Sequence, residues 1–345
     1  MIGSSNSTKK VTTSYDILDF NQDMIELISP IITSAEESHH IKYPGESWFR
    51  WKFSPNPFGS PIIKVAIGQK GMVAGVVAFS KAEVLIGEKT ISAAYSTETF
   101  VHPSSQGKGL FSILLDSVQK SAQLDNIELL YNFPNTNSRH GFLKKDWSDV
   151  GGVDSWILPT RPANFFGTII GRKFRIGAIK ADKSFGCTPS DDFNMPESEF
   201  FPLSKCIGGL AMHSRSSEFL AWRYNTCPLA SYLTIITEEG WAIIRPGNRG
   251  KLREAQLLDI FSFRQGLSQF EMRRLLSGII SEVKKRCCVD FITFYTSRAS
   301  GLSLMLSSLL FLNVPNHINF FNLSLVSHQT HPGHWLLTGS DFHTY

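Results

Sequence analysis

The chain has little of what would tie it to a membrane, a metal or an oxidising compartment. Its longest apolar run, residues 302–314, is interrupted by serines and falls short of the roughly 20 residues a spanning helix needs. No membrane span is therefore expected. Five cysteines make an odd number in no framework spacing: Cys287 and Cys288 are adjacent, while Cys187, Cys206 and Cys227 are scattered. This excludes a disulfide scaffold and favours buried single thiols. The histidines and cysteines also lack the spacing of metal ligands, so no metal is expected. The polar residues 1–10 are followed by no apolar signal segment, and together with reduced thiols this makes the cytoplasm the expected location. Net charge is only +4 and the pI about 8.7. That mild excess suits a polyanionic cofactor or an acidic substrate, but it is far from a nucleic-acid footprint, and no nucleic-acid partner is expected.

What is present is length, aromatic content and one organising stretch. At 345 residues the chain can hold two domains of about 150 residues each. Its 26 phenylalanines imply well-filled cores. Residues 97–111 read as a strand, a glycine-bearing loop and the first turn of a helix, with Phe111, Leu114, Leu115 and Val118 spaced as a buried stripe. Gly107 and Gly109 permit a sharp turn with uncovered N–H groups, and Lys108 adds a positive charge. A helix N-terminus with bare N–H groups is suited to phosphate. The loop lacks the G-x-x-x-x-G-K-[ST] of a Walker loop, and Ser112 stands where a dinucleotide fingerprint needs its third glycine. From the residues alone, a pyrophosphate cradle and a plain strand-to-helix turn both remain open.

The context of that loop resembles a known family. Val101-His102-Pro103 followed by Gln106-Gly107-Lys108-Gly109 is similar to motif A, Q/R-x-x-G-x-G/A, of the GCN5-related N-acetyltransferases. Downstream, residues 127–131 read as a strand, and the run from Asn135 through Phe142 to Trp147 resembles the family's N-x-x-A…Y-x-K-x-G-F helix. The resemblance covers residues 14–158. It implies that acetyl-CoA, or another acyl-CoA, is the cosubstrate, held at its pyrophosphate by the amides of Gln106, Gly107, Lys108, Gly109, Leu110 and Phe111. It further implies that the backbone of Thr99, Phe100 and Val101 pairs with the pantetheine arm, and that one of these N–H groups polarises the thioester carbonyl. Glu98 falls where the family often carries a carboxylate base. Tyr131 and His140 are candidates to supply or relay a proton, although His140 lies close enough to Phe142 to point elsewhere. Asn135 either contacts the cofactor or caps a helix. Glu36, Glu37, His39 and His40 fall where the family lines its acceptor pocket, and a solvated helix end explains them equally. Two departures stand out. Phe111 replaces the last small residue of motif A. Phe142 replaces the tyrosine that protonates the leaving thiolate, so the general acid is open.

The order of elements supports two similar halves. Residues 15–20 read as a strand, then Asn21 caps a helix that Pro30 should kink or end. A short aromatic helix follows at residues 45–53. Strands are expected at 62–67 and 72–79, with Lys70-Gly71 as their turn, then at 90–101, 127–131 and 150–158. Residues 218–224 then echo residues 47–53: Trp222 answers Trp51, Arg223 answers Lys52, Tyr224 answers Phe53, and Pro228 answers Pro57, all at one constant spacing. Strands at 233–236, 241–244 and 255–263, a helix at 270–283, a strand at 290–295, a helix at 301–312 and closing strands at 320–326 and 335–338 repeat the first order. The second strand-to-helix junction, residues 263–268, has one glycine and no Q-x-x-G-x-G.

The expected fold class is α/β (α+β): two tandem acetyltransferase-like domains, each a mixed, mostly antiparallel twisted sheet flanked by helices, with a splayed strand pair. The expected divisions are a disordered segment 1–13, a catalytic domain 14–158, a connector 159–202 with basic and acidic runs, and a degenerate domain 203–345 without a cofactor loop. The function these imply is N-acetylation of a primary amine, such as an amino sugar or another small metabolite, by direct transfer in a ternary complex; a homodimer is compatible. A non-catalytic CoA-binding scaffold and an aminoacyl transferase of the peptidoglycan type are the alternatives.

Overall fold

The computed structural model describes residues 14–39, 45–169, 193–207, 210–228, 231–325 and 334–341. The expectations for residues 1–13, His40, Cys187 and the runs at 171–177 and 191–192 lie outside the described residues, as do the side chains of Glu36, Glu37 and His39. Among the described residues, thirteen strands form one hydrogen-bonded sheet. In chain order they are β1 (Asp16–Asp19), β2 (Ile62–Ile67), β3 (Val73–Ile86), β4 (Lys89–Val101), β5 (Leu129–Asn132), β6 (Ser148–Pro159), β7 (Phe201–Pro202), β8 (Ala211–His213), β9 (Leu233–Ile236), β10 (Gly240–Arg249), β11 (Leu252–Ser262), β12 (Phe291–Ser297) and β13 (Leu312–Ser324). The helices are α1 (Ile25–His39), α2 (Glu46–Lys52), α3 (Leu110–Leu124), α4 (Thr136–Leu143), α5 (Pro162–Ile169), α6 (Leu203–Ile207), α7 (Ser217–Asn225), α8 (Gln269–Arg286) and α9 (Ser303–Ser308).

Across the sheet the order is β1-β2-β3-β4-β5-β13-β6-β12-β11-β10-β9, with β8 beside β3 and β7 beside β11. The halves are therefore not two separate sheets. β6, the last strand of the first half, pairs with β12 of the second, and β13, from the second half, lies between β5 and β6. The exchange leaves neither half with a bare central edge, which would otherwise invite pairing with another chain.

Each half builds the same layers. In the first, Leu110, Leu114, Leu115 and Val118 of α3 pack on Val77, Phe79, Ala94 and Leu130. On the opposite face Ile28, Trp48, Phe49 and Phe53 of the α1–α2 layer cover Val76, Ala78 and Phe100. In the second, Leu275, Ile279 and Val283 of α8 pack with Ile244, Leu257 and Phe294, while Phe219, Leu220 and Tyr224 of α7 cover Ile243, Leu258 and Phe261. Gly75 and Gly240 hold matching places: a Cβ on Gly75 would lie 2.9 Å from Leu114 of α3, and one on Gly240 would lie 3.0 Å from Leu275 of α8 and 2.1 Å from the Phe261 carbonyl oxygen. Both long hairpins carry a bulge, at Ala78/Phe79 opposite Glu98 and at Ile243/Ile244 opposite Asp259. The echoing tryptophans meet: Trp51 and Trp222 stack at 4.8 Å, 18° from parallel.

Several expectations are corrected. Pro30 does not end α1, which continues to His39; the burial of Ile28, Ile31 and Ile32 on either side of the proline outweighs one missing N–H. The helix expected at 301–312 is only α9, because Leu310 adopts φ 67 and β13 begins at Leu312. Residues 335–338 form no closing strand; Trp335 makes a single bridge to Ala211 and the segment folds over β11 and β12. β7 and β8, too short to show a period, fall in stretches that show no pattern.

Because an added methyl at Gly240 meets backbone rather than a movable side chain, Gly240→Ala is expected to lower stability by about 3 kcal/mol, at the upper end of overpacking costs. A urea midpoint that stays within experimental error of wild type would contradict this packing.

Candidate active site

The parallel pairing of β4 with β5 is confined to Ala93↔Leu129, Ala94↔Leu130 and Tyr95↔Tyr131. β4 then runs on to Val101 with β3 along one side. Among the described residues, no strand pairs with its other side beyond Tyr95. His102 N–H donates to the Ala74 carbonyl at 2.9 Å, which sets the phase of the ladder. Hydrogen-bonded and non-hydrogen-bonded pairs alternate, so Thr99 and Val101 turn their peptide groups to the open edge. Gln106 Nε2 already donates to the Val101 carbonyl at 3.0 Å and clasps the loop to the strand. Phe100 turns its peptide group to β3 instead and buries its ring against Phe49.

At the end of this edge the chain makes one turn of 3-10 helix, Pro103–Ser105, capped by His102. It then passes Gly107 at φ 71 and Gly109 at φ 81 into α3. A Cβ at either glycine would meet nothing, so glycine is needed here for the left-handed backbone and not for close packing. Gly109 provides no side-chain cap, and among the described residues the N–H groups of Gly107 to Ser112 find no acceptor. Lys108 is exposed beside them. Such a set of N–H groups at a helix N-terminus is a fit for a diphosphate. Phe111 does not obstruct it. Its ring lies against α4, where a Cβ on Gly141 would come within 2.4 Å of it, and meets Phe142 edge-on at 5.3 Å. Phe142 is itself buried against Trp147, so this position faces the core.

Glu98 sits at the bulge of β4 and forms a buried ion pair with Lys52, the last residue of α2. Lys52 also donates to the Thr97 carbonyl at 3.3 Å, and its ammonium lies 4.1 Å from the centre of the Trp48 ring. Burial raises the Glu98 carboxyl above its ordinary value, against the pull of Lys52. Burial likewise lowers the Lys52 ammonium, against the pull of Glu98. Lys52 escaped the sequence reading, where its place in the echo with Arg223 was the only signal. Tyr131 lies at the vertex where β4 and β5 part, buried and stacked on Tyr95 at 5.4 Å. Its phenol is held far above its ordinary value by burial, so it stays protonated. Tyr95 is pushed up to about 12 for the same reason. His213 packs beside both rings, and burial first, then Arg215 and Arg223, keep it neutral. Asn135 accepts from Ser138 N–H at 2.9 Å and caps α4. His140 is exposed on α4.

The second half offers the same positions filled from within. β11 pairs with β12 only over Glu254–Leu257, and β7 then occupies the edge at Phe261 and Ser262. Asp259, opposite the second bulge, accepts from Arg215 Nε at 2.9 Å and from Thr338 Oγ1 at 2.7 Å. The N-terminus of α8 carries a capping box: Ser268 Oγ accepts from Glu271 N–H at 3.3 Å and the Glu271 carboxylate accepts from Ser268 N–H at 2.9 Å. A cavity of about 130 Å³ between Gly152, Arg298, Phe320 and Trp335 lies two strands from the open edge of β4. The described residues contain no cluster of three or more potential metal ligands and no helix long and apolar enough to cross a membrane.

Comparison with known proteins agrees with this geometry. Residues 34–148 match the acetyltransferase (GNAT) domain family. Among solved structures, a GCN5-related N-acetyltransferase from Anabaena variabilis aligns with a TM-score of 0.58 at 12% identity, over 90% of this chain and 72% of that one. A probable N-acyltransferase from Enterococcus faecalis aligns with a TM-score of 0.60 at 10% identity, again over 90% and 72%. N-myristoyltransferase from Saccharomyces cerevisiae with bound myristoyl-CoA aligns with a TM-score of 0.55 at 9% identity, over 93% and 81%. No curated protein matches the chain. Residues 34–148 thus match the acetyltransferase (GNAT) domain family, and the fold as a whole is similar to that of these N-acyltransferase structures.

Removing Lys52 would strand the Glu98 carboxylate. In Lys52→Met the folded-state value of Glu98 rises further above its unfolded value. Its contribution is then intact below the unfolded value and lost as pH rises through the folded one. Lys52→Met is therefore expected to cost about 3 kcal/mol at pH 8 and clearly less at pH 5, and adding Glu98→Gln should flatten that dependence. Urea unfolding at the two pH values tests it; equal losses at both would contradict the buried pair.

Proposed function

We propose that this protein is an acetyl-CoA-dependent N-acetyltransferase that acts on a primary amine of a small molecule, an amino sugar being one candidate. The observation that carries the reading is the open edge of β4 running directly into uncapped N–H groups at the start of α3. The filled counterpart in the second half supports a single cofactor site, with the second half as a degenerate repeat that shapes the acceptor side. The four described cysteines are unbridged, which supports a reducing compartment such as the cytoplasm.

Bound acetyl-CoA supplies an acyl group activated as a thioester. The N–H groups of Gly107 to Ser112 hold its diphosphate, and Lys108 adds charge. The outward peptide groups of Thr99 and Val101 pair with the pantetheine arm as an added strand would. Thr99 N–H is the donor for the thioester carbonyl. Glu98 takes a proton from the incoming ammonium, and its raised value makes it a better base near neutrality than an ordinary carboxylate. The nitrogen's second proton leaves with the thiolate as the C–S bond breaks, so products are an amide, the free thiol and one proton on Glu98. No cysteine lies at the junction to form an acyl-enzyme. Tyr131 stays a protonated phenol in the aromatic core, and the proton transfer is assigned to Glu98. The same absence of a phenol at Phe142 favours a second reading, a CoA-binding scaffold without turnover.

Calorimetric titration with acetyl-CoA should show micromolar or tighter binding, at least about 8 kcal/mol. Gly107→Glu/Gly109→Glu should abolish it, whereas Glu271→Gln, at the other half's helix, should not. On an amine panel, Glu98→Gln should slow thiol release by about 10²–10⁴. The wild-type acidic limb should lie above the ordinary carboxyl value, since the base must be deprotonated. Binding that survives the double glutamate substitution would remove the cradle, and binding without turnover on any amine would favour the scaffold.

A further inference from the structure

Resting on that reading, we propose that the stacked pair Tyr95–Tyr131 is the floor of the acyl site and restricts the cosubstrate to a short acyl group. The thioester of a bound acyl-CoA, aligned along Thr99 and Val101, directs its acyl chain toward the vertex where β4 and β5 close. Tyr95↔Tyr131 is the last register pair before the strands part. Side chains alternate across a strand, and the vertex is sealed on both faces. On the α3 face Ala94 and Leu130 are fully buried under Leu114. On the other face the two tyrosine rings stack at 5.4 Å and 17°. Tyr131 is backed in turn by Trp335 at 5.5 Å and Phe320 at 6.0 Å, both buried. The Tyr131 hydroxyl has no hydrogen-bond partner among the described residues. This ring is therefore held by packing alone, and its bulk is what the acyl chain meets.

The wall continues across the second half's contribution, since Phe320 lies on β13 and Trp335 in the segment after it. This differs from the need of the yeast N-myristoyltransferase, which accepts a myristoyl chain on a similar fold. Only Ser96 and Thr97 separate the vertex at Tyr95 from the bulge at Glu98, so the proposed floor lies close to the thioester. A longer straight chain would have to displace the stacked Tyr95–Tyr131 pair, at the usual penalty of overpacking.

The test uses calorimetric titration of the full chain with CoA, acetyl-CoA, butyryl-CoA and hexanoyl-CoA, in the wild type and in Tyr131→Phe, Tyr131→Leu and Tyr95→Leu. The readout is the hexanoyl-to-acetyl affinity ratio within each protein, which is independent of how much of a variant is folded. Wild type should bind hexanoyl-CoA about tenfold more weakly than acetyl-CoA. Tyr131→Phe, which keeps the ring, should retain that ratio, and the leucine variants should narrow it to about threefold or less. Equal affinity of wild type for the two thioesters overturns the proposal, and so does an unchanged ratio in both leucine variants. If CoA itself fails to bind, the cradle at Gly107–Ser112 falls and this inference falls with it; if CoA binds but chain length has no effect, only the floor is refuted. Should neither leucine variant fold, the wild-type and Tyr131→Phe ratios still decide.

Discussion

An unpaired strand edge inside a sheet leaves peptide groups without partners, and the first half of this chain keeps such an edge where β4 outruns β5. Everything else in the half is arranged around it. The bulge at Glu98 shifts the phase of β4 so that Thr99 and Val101 present their peptide groups outward. Gln106 ties the following loop back to the strand, and the two glycines turn the next N–H groups to the same side. The edge and the helix end are continuous along the chain, so a ligand that satisfies one is led to the other. Hydrophobic packing of α3 covers one face of this half and the α1–α2 layer covers the other.

The second half shows the same scaffold with the corresponding positions filled from within. Three positions there have internal partners: β7 on the strand edge, the Ser268–Glu271 box at the helix end, and Arg215, Tyr224 and Thr338 on the carboxylate opposite the bulge. Buried donors and acceptors are ordinarily paired, and at these three positions the second half pairs them from within. The exchange of β6 and β13 then makes the closed half a structural support for the open one. β13 pairs with β5, the strand that bounds the cleft, so the position of that strand depends on residues far along the chain.

Much of this was legible in the sequence because it is local. The Gly107–Gly109 loop, the stripe on α3 and the echo of Trp51 in Trp222 are short-range patterns, and the structure has the corresponding elements. The exchange of β6 and β13 was not legible, because a strand's pairing partner is set by tertiary packing and leaves no mark in its own alternation. β7 and β8 are too short to carry a period. Lys52 was hidden for a different reason. It ends an amphipathic helix whose lysine is ordinarily solvated, and only the placement of Glu98 by the bulge makes it a buried partner. Asn135, open between two roles in the sequence, accepts from the N–H and the hydroxyl of Ser138 and so caps α4, an arrangement compatible with either role.

The pairing of Lys52 with Glu98 also explains how a carboxylate can sit at the bulge at all. An isolated charge there would protonate instead of remaining ionised, since burial penalises it more than any neighbouring dipole compensates. A full positive charge at hydrogen-bond distance offsets that penalty, and the Trp48 face and the Thr97 carbonyl offset part of the cost of burying the ammonium. The balance is incomplete on both sides: Glu98 stays raised and Lys52 stays lowered. Each partner is thus held nearer to its neutral form than it would be in water. Were Glu98 protonated, Lys52 would be left with a weakened hold on its own proton, which limits the charge in the core. In the second half the corresponding carboxylate, Asp259, has an arginine and several hydroxyl donors around it, and arginine keeps its proton. The two halves thus place a carboxylate opposite the same bulge with different partners, a lysine in one and an arginine with hydroxyl groups in the other.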